Sequence, residues 1–507
     1  MLLIHPPVAK PCEPPAGIAK LAGALRAAGQ ACTLLDANLE TLQYLLSRPV
    51  AADDTWSRRA CRNLGANLAA FRSSPLYTNV DRYKRAVSDL SRVLALAGKA
   101  HGVDLTLANY QDPALSPLKS ADLLQAAENP ELNIYYPWFS KRLPELLGAD
   151  NPPLVGLSLN YLSQALPAFA MAGFLKKRHP RLPLAMGGGL VTSWLRKPDW
   201  RNPFTGLVDH LIAGPGEKSL LNLLGAEGQA AAEPPDYSDF AANAYLAPGF
   251  ILPYAAASGC WWNRCSFCPE KAEGNPYSSI PTDMVMRDLD HLTTQTRPAL
   301  IHLLDNAIHP TLLQALAERR PPLPWYGFVR ITELLGDVDF CRALQRSGCV
   351  MLKLGIESGD QDVLNRMDKG IDLAMASRAL SALRKAGIAT YVYLLFGTPG
   401  ESLKEARHTL EFVRRHHEAI TFLNLAIFNL PSAAKVASAL STRDFYEGDL
   451  SFYRDFDHPQ GWNRGEVRRF LEQEFKRDPA VTPILHRDPP VFTSNHAAFL
   501  QQGRRFF

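Results

Sequence analysis

The stretch SGCWWNRCSFCPE, Ser258–Glu270, places three cysteines, Cys260, Cys265 and Cys268, within nine residues. The apolar run GFILPYAAA over Gly249–Ala257 precedes it and predicts a buried strand. A strand that opens into a short loop of thiols marks a metal or cluster site. Thiolates are soft ligands, and gaps of a few residues let one loop wrap several metal atoms. Three ligands suit an iron–sulfur cubane with one iron left open to a small molecule. The competing reading is a closed zinc site, which wants four protein ligands. The nearest other cysteines are Cys61 and Cys341, so zinc would need a histidine such as His302 or His309.

Working outward, a chain of 507 residues has room for two or three domains with substantial cores. Its 54 basic and 50 acidic residues nearly cancel, which gives no case for a nucleic-acid footprint or a polyanionic partner. No apolar run reaches the roughly 18 residues of a membrane span. MLLIHPPVAKP at the start lacks the basic and long apolar regions of a signal peptide. Eight cysteines in so long a chain do not make a disulfide scaffold. A reducing, cytoplasmic setting is therefore expected.

Ahead of the cysteine loop, Met1–His5 reads as a strand, Ile18, Leu21, Ala22 and Leu25 as one face of a helix ending at Gly29, and Ala31–Leu35 as a second strand. This is a β–α–β unit of Rossmann type. Residues 41–150 read as a mostly helical insertion. The sheet resumes at Leu154–Leu159, with a helix near Leu166–Lys177, a strand over Leu182–Met186 running into Gly187-Gly188-Gly189, and a strand over Leu207–Ala213 ending in Gly214-Pro215-Gly216-Glu217. Glycine-rich turns at the carboxyl ends of parallel strands serve either as ligand cradles or simply as tight strand-to-helix turns. Residues 226–248 fit an interdomain linker. From 249 to 435 short apolar strands alternate with helical segments, as in a (partial) TIM-like βα barrel. The strand Leu300–Leu304 ends at Asp305-Asn306, Trp325–Val329 at Arg330, and Val350–Gly355 at Ile356-Glu357-Ser358-Gly359. Thr390–Phe396 ends at Gly397-Thr398-Pro399-Gly400-Glu401, and Ile420–Phe428 is the last strand. Residues 436–507 read as a small C-terminal extension. Its His486–His496 stretch either packs as a tail or enters a substrate site. The fold class is thus α/β: a Rossmann-like domain over 1–225, then the barrel.

The three cysteines after the first barrel strand, with Phe267 just before the last, resemble the radical SAM enzymes. The first gap is four residues, Trp261–Arg264, where the usual spacing has three. That longer gap resembles members fused to a cobalamin-binding domain. Pro14, Pro15 and Gly17, then Gly156, Ser158 and Asn160, then Gly187 and Gly188, then Gly214, Gly216 and Glu217 are similar to the corresponding turns of that domain. The Asp-x-His-x-x-Gly motif whose histidine ligates cobalt is absent, since Asp209-His210 is adjacent and Asp305–His309 is too widely spaced.

The resemblance implies a [4Fe–4S] cluster on Cys260, Cys265 and Cys268, with S-adenosylmethionine chelated to the open iron and cleaved to a 5′-deoxyadenosyl radical. It implies cobalamin contacts at Ser158, Asn160, Gly187, Gly188, Gly214, Gly216 and Glu217. Arg330 and Glu357 become candidates to clamp the methionine moiety, with an interstrand salt bridge as the alternative. Ser358 is a candidate for the ribose or carboxylate, and Gly397, Pro399 and Glu401 for the adenine turn. Asp305 stands in for the missing Gly-Gly-Glu that would hold the amino group. The implied reaction is methylation of an unactivated carbon or phosphorus of a small-molecule or peptide substrate, with a reductant such as flavodoxin or ferredoxin. A radical cyclisation or rearrangement without methyl transfer, and a non-catalytic corrinoid or SAM sensor, are the alternatives.

Overall fold

Strand β1 (Leu2–His5) belongs to a five-stranded, all-parallel sheet with β2 (Thr33–Asp36), β3 (Val155–Ser158), β4 (Leu184–Gly187) and β5 (His210–Leu211), in the order β2-β1-β3-β4-β5, with β3 at its centre. Parallel strands covered on both faces read as unbroken apolar runs, and Leu2, Leu3 and Ile4 are all buried. In the computed structural model, residues 1–148, 151–226, 233–319, 323–434 and 440–501 are described. Residues 227–232 of the expected linker and 436–439 of the expected extension lie outside them.

The helix Ala16–Ala27 begins after Pro15 and buries Ile18, Ala22 and Leu25 against this sheet's core. Helix Leu162–Arg178 is buried almost all round from Ser163 to Leu175, with Lys176, Lys177 and Arg178 at its carboxyl end, where cations suit the helix dipole. The insertion is built of helices Ala37–Ser47, Thr55–Phe71, Val80–Lys99, Ser120–Glu128 and Tyr136–Leu147. The first three are capped by Asp36, Asp54 and Asn79, whose side chains accept from the backbone N–H groups of Leu39, Ser57 and Arg82. A two-residue antiparallel pairing, Asp104–Leu105 with Tyr110–Gln111, interrupts them. The strand expected over 207–213 contracts to two residues. Before it, Asp209 caps the edge instead, accepting from Leu184 N–H at 2.7 Å and pairing with Lys176 at 2.8 Å.

The second sheet has six parallel strands in sequential order: β6 (Ile251–Tyr254), β7 (Leu300–Ile308), β8 (Trp325–Val329), β9 (Cys349–Glu357), β10 (Ala389–Phe396) and β11 (Phe422–Ile427). Burial alternates along these strands. Leu352, Leu354, Ile356, Val392, Leu394 and Phe396 are fully buried beneath the helices. Lys353, Glu357, Tyr393 and Leu395, on the opposite face, are half-buried. A sheet with one face sealed by helices and the other partly open is the wall of a partial barrel. β7 runs three residues past the expected end at Asp305, so Asp305 lies within the strand.

The terminal helix Thr493–Gln501 packs against β9 on that inner face. Ser494 and the Tyr326 hydroxyl share a hydrogen bond at 2.6 Å, and His496 stacks on Tyr391 at 5.1 Å and 18°. Within His486–His496, Ser494 and His496 thus pack against inner-face rings, as a tail does. By contact the chain divides into Met1–Phe250 with Tyr446–Phe452 and Pro490–Phe492, and Ile251–Phe445 with Tyr453–Pro489 and Thr493–Phe507. No described helix is long and apolar enough to cross a membrane.

The fully buried Phe169 packs on Phe204 at 4.6 Å and Trp194 at 6.4 Å. Phe169→Ala is expected to lower unfolding free energy by about 3–5 kcal/mol, read as a lower denaturant midpoint at unchanged slope.

Candidate active site

The cysteine loop leaves β6 through the short strand Ala257–Ser258, which pairs antiparallel with Ser278–Ser279. Cys260, Cys265 and Cys268 are free thiols, each half-buried. Burial pushes the Cys265 thiol up and that of Cys268 up to about 11, although Glu270 and Lys271 N–H groups donate to the Cys268 sulfur and oppose the rise. Among the described residues no three His, Cys, Asp or Glu side chains gather as ligands of one ion. Ligands of a cubane each hold a different iron, so three free thiols on one loop fit the cluster better than a single zinc. Neither His302 nor His309 joins them: His302 stacks on Tyr326 at 4.3 Å and His309 packs edge-on to Trp261.

What fixes the loop is a set of contacts with the turn after helix Gln361–Arg366. Ser266 N–H donates to Met367 O at 2.9 Å and Trp262 Nε1 to Asp368 O at 3.2 Å. Gly370, at φ +61°, lies flat against the Trp262 ring, where an added Cβ would come within 2.2 Å of the indole. Arg330 sits over that ring beside Gly370, its guanidinium carbon 3.6 Å from the centroid and its Nη2 3.0 Å from the same added Cβ. Arg330 also donates to Lys369 O and to the Cys265 sulfur, and burial holds its guanidinium below the usual arginine range.

Arg330 and Glu357, both singled out from sequence, stand at the ends of β8 and β9, yet the carboxylate of Glu357 pairs with a different cation. Lys369 Nζ lies 2.8 Å from Glu357 Oε1, with the two side chains only 10% and 12% exposed. Sequence reasoning missed Lys369, and nothing local in Met367–Gly370 signals it. Glu357 also adopts φ +69°, a left-handed conformation costly for a residue with a side chain, at a bulge in the β9–β10 pairing.

Ser358 is buried and turned away from the thiols, sharing a hydrogen bond with Thr409 Oγ1 at 3.2 Å and accepting from Asp360 N–H. Asp305 is buried and accepts from Ala256 N–H at 3.1 Å, which ties β7 to the start of the cysteine loop; burial pushes its carboxyl up to about 6. At the turn after β10, Glu401 is fully buried. One oxygen accepts from Gly397 N–H at 2.5 Å and Trp462 Nε1 at 2.9 Å. Its other oxygen, Thr398 Oγ1 and Trp261 Nε1 are buried polar atoms without a protein partner. Orphaned donors and acceptors beside the cysteine loop and in the Gly397–Glu401 turn fit a polar ligand rich in hydrogen-bonding groups, as a nucleoside is. Pro399 sits in the same turn.

In the first unit the glycine turns converge at the carboxyl ends of β3, β4 and β5. Gly189 N–H donates to Asn160 Oδ1 at 3.0 Å, Asn160 Nδ2 to Ser158 Oγ at 3.3 Å, and Gly214 N–H to Thr192 Oγ1 at 2.9 Å. Gly188 takes φ +100° with Leu159 O only 2.3 Å from any added Cβ, so this close approach requires glycine. Gly187, Gly188, Ser158 and Asn160 thereby form one shelf. Gly216 and Glu217 open the next helix, Glu217–Leu223.

Lys369→Met strips the partner from a buried carboxylate and is expected to destabilise by about 3 kcal/mol, measured by chemical denaturation. Burial also pushes the Glu401 carboxyl up to about 7. A carboxyl raised in the folded state binds more protons folded than unfolded, so stability falls as pH rises from the unfolded value toward 7. Melting curves across that window are expected to decline less steeply for Glu401→Gln than for the parent chain.

Residues 255–413 match the Radical SAM superfamily. Over 193 residues the chain is 28% identical to bacteriochlorophyllide d C-12(1)-methyltransferase of Chlorobaculum tepidum, covering 36% of this chain and 42% of that relative. Its fold is similar to the cobalamin-dependent S-adenosylmethionine radical enzyme OxsB with aqua-cobalamin bound, at TM-score 0.58 and 12% identity over 94% of this chain and 67% of that one. It is also similar to the radical S-adenosylmethionine methyltransferase TsrM from Kitasatospora setae, at TM-score 0.54 and 14% identity over 98% and 89%. A radical SAM domain implies S-adenosylmethionine and a [4Fe–4S] cluster. With its cysteine loop and parallel partial barrel, the chain carries a radical SAM domain over residues 255–413, and its fold is similar to those of OxsB and TsrM.

Proposed function

We propose that this protein is a cobalamin-dependent radical SAM methyltransferase acting on an unactivated carbon or phosphorus of a small-molecule or peptide substrate. The observation that carries the reading is the trio of free thiols on one loop, packed beside Arg330, Lys369 and the strained Glu357 at the barrel's strand ends. When bound, the cluster supplies the electron that cleaves S-adenosylmethionine to a 5′-deoxyadenosyl radical, and the corrinoid supplies the methyl group.

The chain's own residues have the tasks of holding and excluding. Cys260, Cys265 and Cys268 hold three irons. Arg330 and Glu357, with Lys369 added to the pair named from sequence, present a cation–anion–cation set suited to a zwitterionic amino acid. Asp305 faces the first residues of the loop, where the amino group is to be held. The Gly397–Glu401 turn offers backbone and orphaned polar atoms to the nucleoside; Pro399 rigidifies it and Glu401 locks Gly397. Ser358 supports the strand end through Thr409 and takes the role of a positioning residue in place of a direct ribose contact. The glycine shelf of Ser158, Asn160, Gly187 and Gly188, with Gly214, Gly216 and Glu217, fits close approach of a large polar group to backbone, as a corrinoid side chain requires. Asp209 is committed to Lys176 and Leu184 N–H, in keeping with a corrinoid held without a histidine from the protein. Electron supply falls to a small reductant such as flavodoxin or ferredoxin in a reducing, cytoplasmic setting, with domain limits near 1–225, 249–435 and 436–507.

Protein reconstituted anaerobically with iron, sulfide and cobalamin, then reduced and given S-adenosylmethionine, is expected to form both 5′-deoxyadenosine and S-adenosylhomocysteine. Cys268→Ala abolishes the deoxyadenosine. Deoxyadenosine without S-adenosylhomocysteine would favour ring closure or rearrangement, and neither product would favour a sensor.

A further inference from the structure

The C-terminal extension folds back on the turn that follows β10. Its strand Tyr453–Phe456 pairs antiparallel with Leu430–Pro431 and Thr442–Asp444, and Phe456 packs on the apolar cluster of Phe428, Leu430 and Ala434. Phe267 and Ala272, on either side of Cys268, pack on that same cluster. Two residues beyond the strand, His458 begins a tight turn, in which Gly461 takes φ +68° and donates its N–H to His458 O at 2.9 Å. Within the turn, His458 Nδ1 accepts from the N–H groups of Gln460 and Trp462 at 3.2 and 3.3 Å. An imidazole nitrogen that accepts carries no proton, so Nε2 is the donor. It meets Thr398 O at 2.8 Å. The buried Trp462 gives its Nε1–H to Glu401 Oε2 at 2.9 Å. Asn463 then caps the helix Arg464–Phe470, whose Val467 would stand 3.2 Å from a Cβ added at Gly397.

These contacts fall on the polar groups of the Gly397–Glu401 turn. Thr398 O also accepts from Glu401 N–H at 2.9 Å, so two donors fix the tilt of the Thr398–Pro399 peptide, where proline has no N–H of its own to hold it. Glu401 Oε2 likewise takes two donors, Gly397 N–H from within the turn and Trp462 from outside it. The bonds inside the turn set its shape. Those from His458 and Trp462 tie it to the extension, whose Phe456 shares an apolar cluster with the cysteine loop. We infer that His458 and Trp462 are positioning residues for S-adenosylmethionine, which hold the nucleoside turn at the distance from the cysteine loop that one molecule of S-adenosylmethionine spans. The inference rests on the functional reading above only in taking S-adenosylmethionine as the occupant, and methyl transfer is no part of it.

The test is calorimetric titration of the anaerobically reconstituted full chain with S-adenosylmethionine and, separately, with methionine, which lacks the nucleoside. His458→Leu and Trp462→Phe each remove one hydrogen bond to the turn and are expected to raise the Kd for S-adenosylmethionine about three- to tenfold. The Kd for methionine and the iron content stay at the parent values, whereas a general loosening of the fold would change both. His458→Gln, whose Nε2 can still donate to Thr398 O, recovers most of the lost affinity. Should Trp462→Phe fail to take up iron, the two variants of the half-buried His458 decide the matter. Unchanged S-adenosylmethionine affinity in iron-loaded variants, an equal loss of methionine affinity, or no recovery in His458→Gln would overturn the assignment. The expected pattern of affinities without S-adenosylhomocysteine formation by the parent chain would count against the methyltransferase reading and leave the positioning standing. A parent chain that takes up no S-adenosylmethionine would overturn both.

Discussion

One stacked contact organises the site: the Arg330 guanidinium over the Trp262 ring, with the bare backbone of Gly370 beside both. A loop with three half-buried thiols has little regular structure of its own, so its shape must be imposed by neighbours. Trp262 supplies the grip. Packed against a cation and a residue without a side chain, it fixes the middle of the cysteine loop to the end of β8 and to the turn after helix Gln361–Arg366. Cation–π stacking on a half-buried indole contributes about 1 kcal/mol, which favours one loop conformation over its competitors. The same guanidinium touches Cys265, so a single side chain couples loop position to the charge around the sulfurs.

That coupling gives the site its electrostatic character. Burial disfavours thiolates at Cys265 and Cys268, and the positive groups of Arg330 and Lys369 oppose it at Cys265. Lys369 serves twice, pairing with Glu357 and lying 5.5 Å over the Phe267 ring. Glu357 is held in a left-handed conformation that only a surrounding network sustains. The four-residue first gap carries Trp262, the ring that meets Arg330 and Gly370.

The cysteines, the strand order and the glycine turns were legible because each is a local pattern: thiol spacing, apolar runs, and glycine where backbone must approach backbone. Asp305 was read at a strand end and lies within β7, since Asp and Asn rank low as strand formers but the Ala256 N–H bond and parallel neighbours override that preference. Lys369 could not be found from sequence, because it meets Glu357 only once the turn after helix Gln361–Arg366 folds back on the end of β9. The terminal helix was equally hidden. His496 and Ser494 have meaning only against Tyr391 and Tyr326, more than a hundred residues earlier.

Electron–nuclear double resonance on the reduced, reconstituted protein, with S-adenosylmethionine labelled at its amino and carboxylate groups, tests the central claim most directly. Three thiols and one open iron predict coupling of both labelled groups to a [4Fe–4S] cluster. A single zinc ion closed by four protein ligands, with no iron-coupled signal from either label, would contradict it.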